Sequence, residues 1–426
     1  MASSIYIASA EGFTGKSTVA LGLLDQLSRV VGRIGVFRPV VRGARDGRDD
    51  RDPVLELLLH HDAVSLEYDE CTAVTYDDVH ADPVAALDRI IQRHHEVAER
   101  CDAVVVVGSD YTDIAAPTEF SFNARVAANI GAPVVLVVSG FERSSTEISG
   151  FVGMLFDELR AQHALPLAVV ANRVSDAGVL EELSARGSTG TEPIPWYAVP
   201  DEPLLNAPSV RELMLACQGH LLRGDEQLLS RESTGLVVAA MTIPHVLERL
   251  FEGCAVITPG DRPEIVLGVL AAHTSTSFPQ VSAIILNGGI PLAPQILTLL
   301  DGIEASTPII ATDLGTHATT AALTGLRGRL TEDAPRKIAT ALALFSEHVD
   351  GEALVDRLHL TRSEAVTPLM FEQQLIDAAT SDRRHVVLPE GEEERILRAA
   401  DILLRRGVAD LTLLGEPGAI AAKAAS

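Results

Sequence analysis

The stretch 4-SIYIASAEGFTGKST-18 decides how the rest of the chain is read. Residues 4–9 form a short β-prone run, and small and polar residues follow. Apolar residues then fall at Ala20, Leu23, Leu24, Leu27, Val30 and Val31, which is helical spacing. Strand, tight loop and helix in that order build a cradle for phosphate. Small residues let backbone N–H groups point inward, the helix N-terminus adds a favourable dipole, a lysine reaches the outer phosphates, and a hydroxyl binds Mg²⁺. Gly15-Lys16-Ser17 match G-x-x-x-x-G-K-[ST], with Ala10 in place of the first glycine. That departure matters only if the position needs a positive φ. The candidate phosphate contacts are Gly12, Thr14, Gly15, Lys16, Ser17 and Thr18. The pattern fits a loop that binds ATP with Mg²⁺, and equally one that keeps the shape without the ligand.

The following residues alternate strand and helix. Residues 33–38 read as a strand, and Asp82-Pro83 starts a helix with Val84, Leu87, Ile90, Ile91 and Val97 on its apolar face. Residues 104–107, 133–138 and 167–171 read as buried strands. The pattern specifies a doubly wound parallel sheet, with ligands at the carboxyl ends of its strands. Ser109, Asp110, Asn172 and Arg173 fall at those ends. Asp110 is either a Mg²⁺ partner acting through water, alongside Ser17, or an ordinary loop carboxylate; Asn172 is a candidate contact for a base. The mixed-charge run 42–52 reads as a flexible solvated loop, and the pairs His60-His61 and His94-His95 as surface or boundary histidines.

Pro193, Pro195, Pro200, Pro203 and Pro208 crowd around the sole tryptophan, Trp196, and mark a crossing into a second domain. There the strands are expected at 236–241, 255–258, 283–286 and 309–311. Two of them end in the turns Pro259-Gly260-Asp261-Arg262 and Asn287-Gly288-Gly289. Asp261 and Arg262, with Asn287, either bind a small anionic effector or, the favoured alternative for Asp261 and Arg262, form a structural ion pair. A third unit starts with a helix over 367–380, a strand over 385–388, a helix over 392–406 stopped by Gly407, and a strand over 411–414. One β-α-β unit cannot bury both faces of a sheet, so the third unit reads as incomplete.

Composition narrows the function. The 426 residues carry 34 Lys and Arg against 59 Asp and Glu, a net charge of −25, which argues against nucleic acid or an anionic membrane as partner. The four cysteines form no C-x-x-C, so free thiols in a reducing compartment are expected rather than a zinc site. No signal peptide is evident, and no uncharged apolar run reaches the roughly eighteen residues that span a bilayer; a cytoplasmic protein is expected.

These features together resemble the long, three-domain form of phosphate acetyltransferase, especially the actinobacterial type. The carrying stretches are Ile5-Tyr6-Ile7-Ala8 with Thr14-Gly15-Lys16-Ser17-Thr18, Gly35-Val36-Phe37-Arg38-Pro39, and Cys101-Asp102-Ala103 through Val107-Gly108-Ser109-Asp110-Tyr111-Thr112-Asp113. Val170-Ala171-Asn172-Arg173, Ile257-Thr258-Pro259-Gly260-Asp261-Arg262, Leu286-Asn287-Gly288-Gly289 and Val387-Leu388-Pro389-Glu390-Gly391 extend the likeness. The resemblance implies a dethiobiotin synthetase-like phosphate-loop domain over 1–207, an α/β DRTGG-type domain over 208–330, a helical linker over 331–366 and the start of the acetyl-transfer domain over 367–426. The middle domain departs from its name, having Asp261-Arg262-Pro263-Glu264.

The family interconverts acetyl-CoA plus phosphate and acetyl phosphate plus CoA, with no further cofactor required. Its catalytic groups are expected beyond Ser426, and the first domain is regarded as regulatory or structural. A homo-oligomer, small-molecule effectors and a functional link to acetate kinase are also expected. An ATP-dependent enzyme of the dethiobiotin synthetase class, with Lys16 and Ser17 doing the chemistry, and an effector-binding module are the alternatives.

Overall fold

The computed structural model describes residues 2–43, 51–109, 118–188, 194–303, 307–360, 368–405 and 407–424. The first sheet has seven parallel strands: β1 (Ser3–Ala8), β2 (Ile34–Val41), β3 (Thr72–Thr75), β4 (Ala103–Val107), β5 (Val134–Ser139), β6 (Pro166–Val174) and β7 (Trp196–Pro200). Their order is β3-β2-β4-β1-β5-β6-β7. The central strands are buried on both faces, which is why they are continuous runs of Val, Ile, Leu and Ala. Tyr6, Phe37, Val106 and Leu136 face one layer of helices, and Ile5, Ile7, Val36, Val105 and Val137 the other. Helices cover both faces, as a parallel sheet requires.

β7 falls inside the proline-rich stretch expected as a crossing. Trp196 is buried in the first core, and the crossing proper begins only after Pro200. Pro200 sits at the end of an edge strand, where a missing N–H costs no ladder bond.

The helix α1 (Lys16–Ser28) follows the phosphate loop, and Leu23, Leu24 and Leu27 bury its inner face. Its outer side is covered from far along the sequence. α3 (Pro335–His348) and α4 (Gly351–Leu360) return from beyond the second domain and pack on α1, while α2 (Pro53–Leu59) lies beside them. The expected linker over 331–366 is therefore corrected for its described part: residues 335–360 form a layer of the first domain. The reason lies in Ala341, Phe345, Val349, Leu354, Val355 and Leu358, which are all buried in the same core as β1 and α1. The Phe345 ring sits where a side chain on Gly22 would stand, since a Cβ there would lie 2.1 Å from Phe345 Cγ.

The second sheet holds β8 (His220–Arg223), β9 (Gly235–Val238), β10 (Cys254–Pro259), β11 (Ala283–Asn287) and β12 (Ile309–Ala311), in the order β8-β12-β11-β10-β9. β9 to β12 are parallel and β8 runs antiparallel at the edge. Separate cores lie on its two faces. The last described unit pairs β13 (Arg384–Leu388) with β14 (Ala409–Leu413) in parallel, joined by the helix Glu394–Arg405. Phe371, Leu375, Val387, Ile402 and Leu404 stay half exposed there. All four cysteines are free and buried. No helix among the described residues is long and apolar enough to cross a membrane.

The seat of Phe345 gives a test in which one substitution changes sign. Phe345→Ala removes a large buried side chain and is expected to cost about 3–5 kcal/mol. Gly22→Ala in the native chain forces the ring aside and is expected to cost about 1–3 kcal/mol. With the ring gone, the same Gly22→Ala change places a better helix former in open space and should gain up to about 1 kcal/mol. Urea unfolding followed by Trp196 fluorescence measures all three; strictly additive effects would contradict the contact.

Candidate functional site

The chain leaves β1 toward β2 on one side of the sheet and leaves β4 toward β5 on the other. The crevice between the carboxyl ends of β1 and β4 is therefore the topological switch point, where open α/β sheets take their ligands. The loop after β1 fills one side of it. Ser9 Oγ accepts from Glu11 N–H, and Arg143 Nη1 donates to both oxygens of the Glu11 carboxylate at 2.7 and 3.0 Å. Phe13 and Gly15 take the left-handed turns with φ of 58° and 77°, whereas Ala10 is not among the positive-φ residues. The alanine in place of the first motif glycine is thus compatible with the loop.

Gly15 is the N-cap of α1 and provides no side chain to satisfy the helix N–H groups. The hydroxyl of Thr14, a residue 1% exposed, has no hydrogen-bond partner among the described residues. Lys16, also buried, points its ammonium at the end of β4, donating to Ser109 O at 2.5 Å and Gly108 O at 3.3 Å. Ser109 is fixed in turn by Asn123, whose Oδ1 also accepts the Tyr6 hydroxyl at 2.6 Å. Gly12, Thr14, Gly15, Lys16, Ser17 and Thr18 come together as the sequence suggests, and all line one cavity of about 270 Å³. Its donor set suits a polyphosphate: backbone N–H groups at a helix start, an orphan hydroxyl and a lysine.

Asn172 and Arg173 also line this cavity, but their contacts are with the loop itself. Asn172 Nδ2 donates to Thr14 O at 2.8 Å, and it occupies the space that a Cβ on Gly15 would need. The carboxamide expected at a base is thus a brace for the loop. Arg173, at φ 63°, pairs with Asp201 at 2.9 Å and donates to Phe13 O. Asp110 lies outside the described residues. Among the described residues no cluster of three His, Cys, Asp or Glu could hold a metal ion, so Ser17 is the metal candidate present at the site.

Sequence reasoning missed a second buried cation. Arg38, inside β2 and 2% exposed, donates to Val107 O and Gly108 O and pairs with Asp52 at 3.0 Å. An arginine inside an otherwise apolar strand was the available signal. The solvated run expected over 42–52 is corrected at its end: Asp52 is mostly buried, caps α2 through Val54 and Leu55 N–H, and holds Arg38. Residues 44–50 lie outside the described residues. His94 also departs from the surface reading. It is buried edge-on against Phe37, bonded to Ser4 Oγ at 2.9 Å, and burial pushes its pKa down to about 4. His60, His61 and His95 make local contacts with Glu56 O, Asp25 and Glu99.

Part of the cavity wall comes from outside the first sheet. Asp201 and Asn206 belong to the segment leaving β7 for the second domain, and Gly328, Arg329 and Leu330 to the segment coming back. Although the chain carries a net charge of −25, Lys16, Arg38, Arg42, Arg51, Arg173 and Arg329 all border this space.

The residues expected to form an effector site in the second domain do not converge. Arg262 turns back onto Glu264 at 2.5 Å and Met241 O at 2.9 Å, holding the Glu264 carboxyl below its usual range. Asp261 is exposed at the turn. Asn287 is 1% exposed and bonded to Thr316 on the following helix, as a brace between β11 and that helix. The ion pair present is Arg262–Glu264, two residues along a helix start, where Pro263 and Glu264 replace the motif's residues.

Three family models match in succession: an AAA domain over residues 3–209, a DRTGG domain over 212–326, and the phosphate acetyl/butaryl transferase family over 370–426. A phosphate acetyltransferase from Nitratidesulfovibrio vulgaris is 34% identical over 99% of this chain, and one from a Synechocystis strain 33% identical over the same share. The chain is a homologue of the phosphate acetyltransferases. It spans 61% of the length of each of these relatives. The phosphate acetyltransferase likeness covers the phosphate loop, the second sheet and the β13–β14 unit in one match.

The Arg38–Asp52 pair gives the test of this site. Arg38→Ala leaves Asp52 buried without its partner and is expected to cost about 3–5 kcal/mol. Arg38→Met with Asp52→Asn keeps the helix cap and removes both charges, and should recover most of that loss. Urea midpoints read by Trp196 fluorescence decide it; a double variant as unstable as Arg38→Ala would contradict the pairing.

Proposed function

We propose that this chain is the front of a cytoplasmic phosphate acetyltransferase, carrying its nucleotide-responsive domain, its DRTGG domain and the start of its transfer domain. The observation that supports this most is the order of the three matches across 99% of the chain at 34% identity. In the reaction a phosphate oxygen attacks the acetyl-CoA carbonyl carbon, the C–S bond breaks, and CoA leaves as a thiolate that takes up a proton. The oxyanion and the thiolate both need stabilising donors. We place those groups in the part of the relatives that these residues do not match, since the chain spans 61% of the relatives' length.

The role of the phosphate cavity in this reading is regulatory. The loop N–H groups, Thr14, Lys16 and Ser17 would hold a nucleotide's phosphates, and a bound nucleotide would supply negative charge and Mg²⁺ at the head of α1. Acetyl-CoA, phosphate and small effectors are the partners; assembly into a homo-oligomer and a functional link to acetate kinase belong to the same proposal.

A second reading, an ATP-dependent enzyme of the dethiobiotin synthetase class, is favoured by one feature. A neighbouring cavity of about 630 Å³, bordered by Val40, Ser109, Glu119, Phe122 and Arg125, shares Tyr76 with the phosphate cavity. It offers room for a second substrate beside the phosphates.

The assay is release of free CoA thiol from acetyl-CoA and phosphate. The protein translated from the whole reading frame that contains these residues should release it, and these 426 residues alone should not. No release by the former overturns the acetyltransferase reading; release by the latter overturns the placement of the chemistry outside these residues. Phosphate release from ATP by the 426-residue chain, abolished by Lys16→Ala, would favour the second reading.

A further inference from the structure

The segment leaving the first domain and the segment returning to it lie backbone against backbone at the wall of the phosphate cavity. Gly328 N–H donates to Asn206 O at 2.9 Å. A Cβ at Gly328 would stand 2.1 Å from Ala207 O, so no larger residue lets the two segments come this close. Lys337, 2% exposed, spans both: its ammonium donates to Ala207 O at 2.6 Å and to Arg329 O at 3.0 Å. Burial holds that lysine below its usual pKa. The backbone at residue 329 is therefore fixed relative to α1 and the loop before it.

Most of the cavity's other cations are committed to protein groups: Arg38 to Asp52, Arg51 to Glu56, Arg173 to Asp201 and Phe13 O, and Lys16 to the end of β4. Arg329, an exposed residue, lines the same space, as Arg42 does after β2, and has no ion pair among the described residues; its carbonyl is the one Lys337 holds. Its neighbour Arg327 stacks its guanidinium 5.4 Å from the Phe13 ring, a second link between the loop and the returning segment. Across the cavity stands the partnerless Thr14 hydroxyl.

We infer that Arg329 binds the triphosphate of a ligand seated on Gly12–Thr18, and that this contact ties the segment returning from the second domain to the phosphate loop. The inference rests on the loop reading above and extends it, making the site one built by two segments that cross between domains as well as by the first domain. A guanidinium is suited to this place because its planar fork matches phosphate oxygens and never loses its charge. Ligand occupancy then reaches the second domain through Arg329, Gly328 and the Lys337 clamp, and reaches α3 through Lys337 itself.

The experiment uses the whole 426-residue chain, with MgATP and magnesium tripolyphosphate as probes in isothermal titration calorimetry and amide hydrogen exchange. Both probes carry the triphosphate; tighter binding of MgATP would add the nucleoside to the recognised chemistry, and equal binding would assign the affinity to phosphate alone. Arg329→Ala should weaken binding about tenfold or more, Arg329→Lys should restore part of it, and Arg160→Ala, an exposed arginine elsewhere, should leave it unchanged. Saturating MgATP should slow exchange at the Gly328 amide in the native chain and not in Arg329→Ala. Native affinity and native protection in Arg329→Ala would overturn the inference while leaving the loop reading intact. Absence of binding to the native chain, matching Lys16→Ala, would overturn both.

Discussion

The contact between Phe345 and the bare face of α1 at Gly22 is what the rest of this architecture depends on. A glycine inside a helix costs about 1 kcal/mol relative to alanine, and here it makes room for a phenylalanine more than three hundred residues away. That ring holds α3 on α1, and with it a layer of Ala341, Val349, Leu354 and Leu358 that closes one face of the seven-stranded sheet. The helix beginning at the phosphate loop is thereby clamped between β1 and a part of the chain that follows the second domain. The first domain is completed by residues on both sides of the second.

This constraint shapes the site. The loop is rigid for identifiable reasons: Asn172 and Arg173 hold Thr14 and Phe13 by their carbonyls, Arg143 holds Glu11, and Asn123 sets the end of β4 where Lys16 lands. Beyond the loop, the wall of the cavity is the pair of crossing segments pinned by Lys337. A phosphate-loop domain standing alone would lack that wall. Buried cations packed against backbone carbonyls and two carboxylates make the cavity a positive region in a strongly acidic protein, which favours an anionic ligand over the surrounding surface.

Much of the fold was legible because long parallel strands announce themselves. β1, β4, β5 and β6 are unbroken runs of Val, Ile, Leu and Ala, and the loop between β1 and α1 has a spacing that few other structures share. β3 (TAVT) and β8 (HLLR) are four residues each at or near sheet edges, half exposed, and carry no such run. Residues 335–360 read equally well as a connector or as a packed layer, since the partner that decides between them, Gly22, is remote in sequence. At the site, local spacing identified the loop but not Arg38, Asp52 or Arg329, which reach it from β2, the N-terminus of α2 and the returning segment. Asp261, Arg262 and Asn287 stood out for their turn glycines, yet the structure spends Arg262 and Asn287 on local bonds.

The central claim is that the phosphate-loop domain is finished by the returning helices. Trp196, the only tryptophan and buried in the first core, reports on that domain alone. The most direct measurement compares the urea midpoint of Trp196 fluorescence in the whole chain with that in a fragment of residues 1–209. The fragment should be unfolded or melt at much lower urea, because the α1 face and the core around Leu23 and Leu24 stand open. Equal midpoints would contradict it.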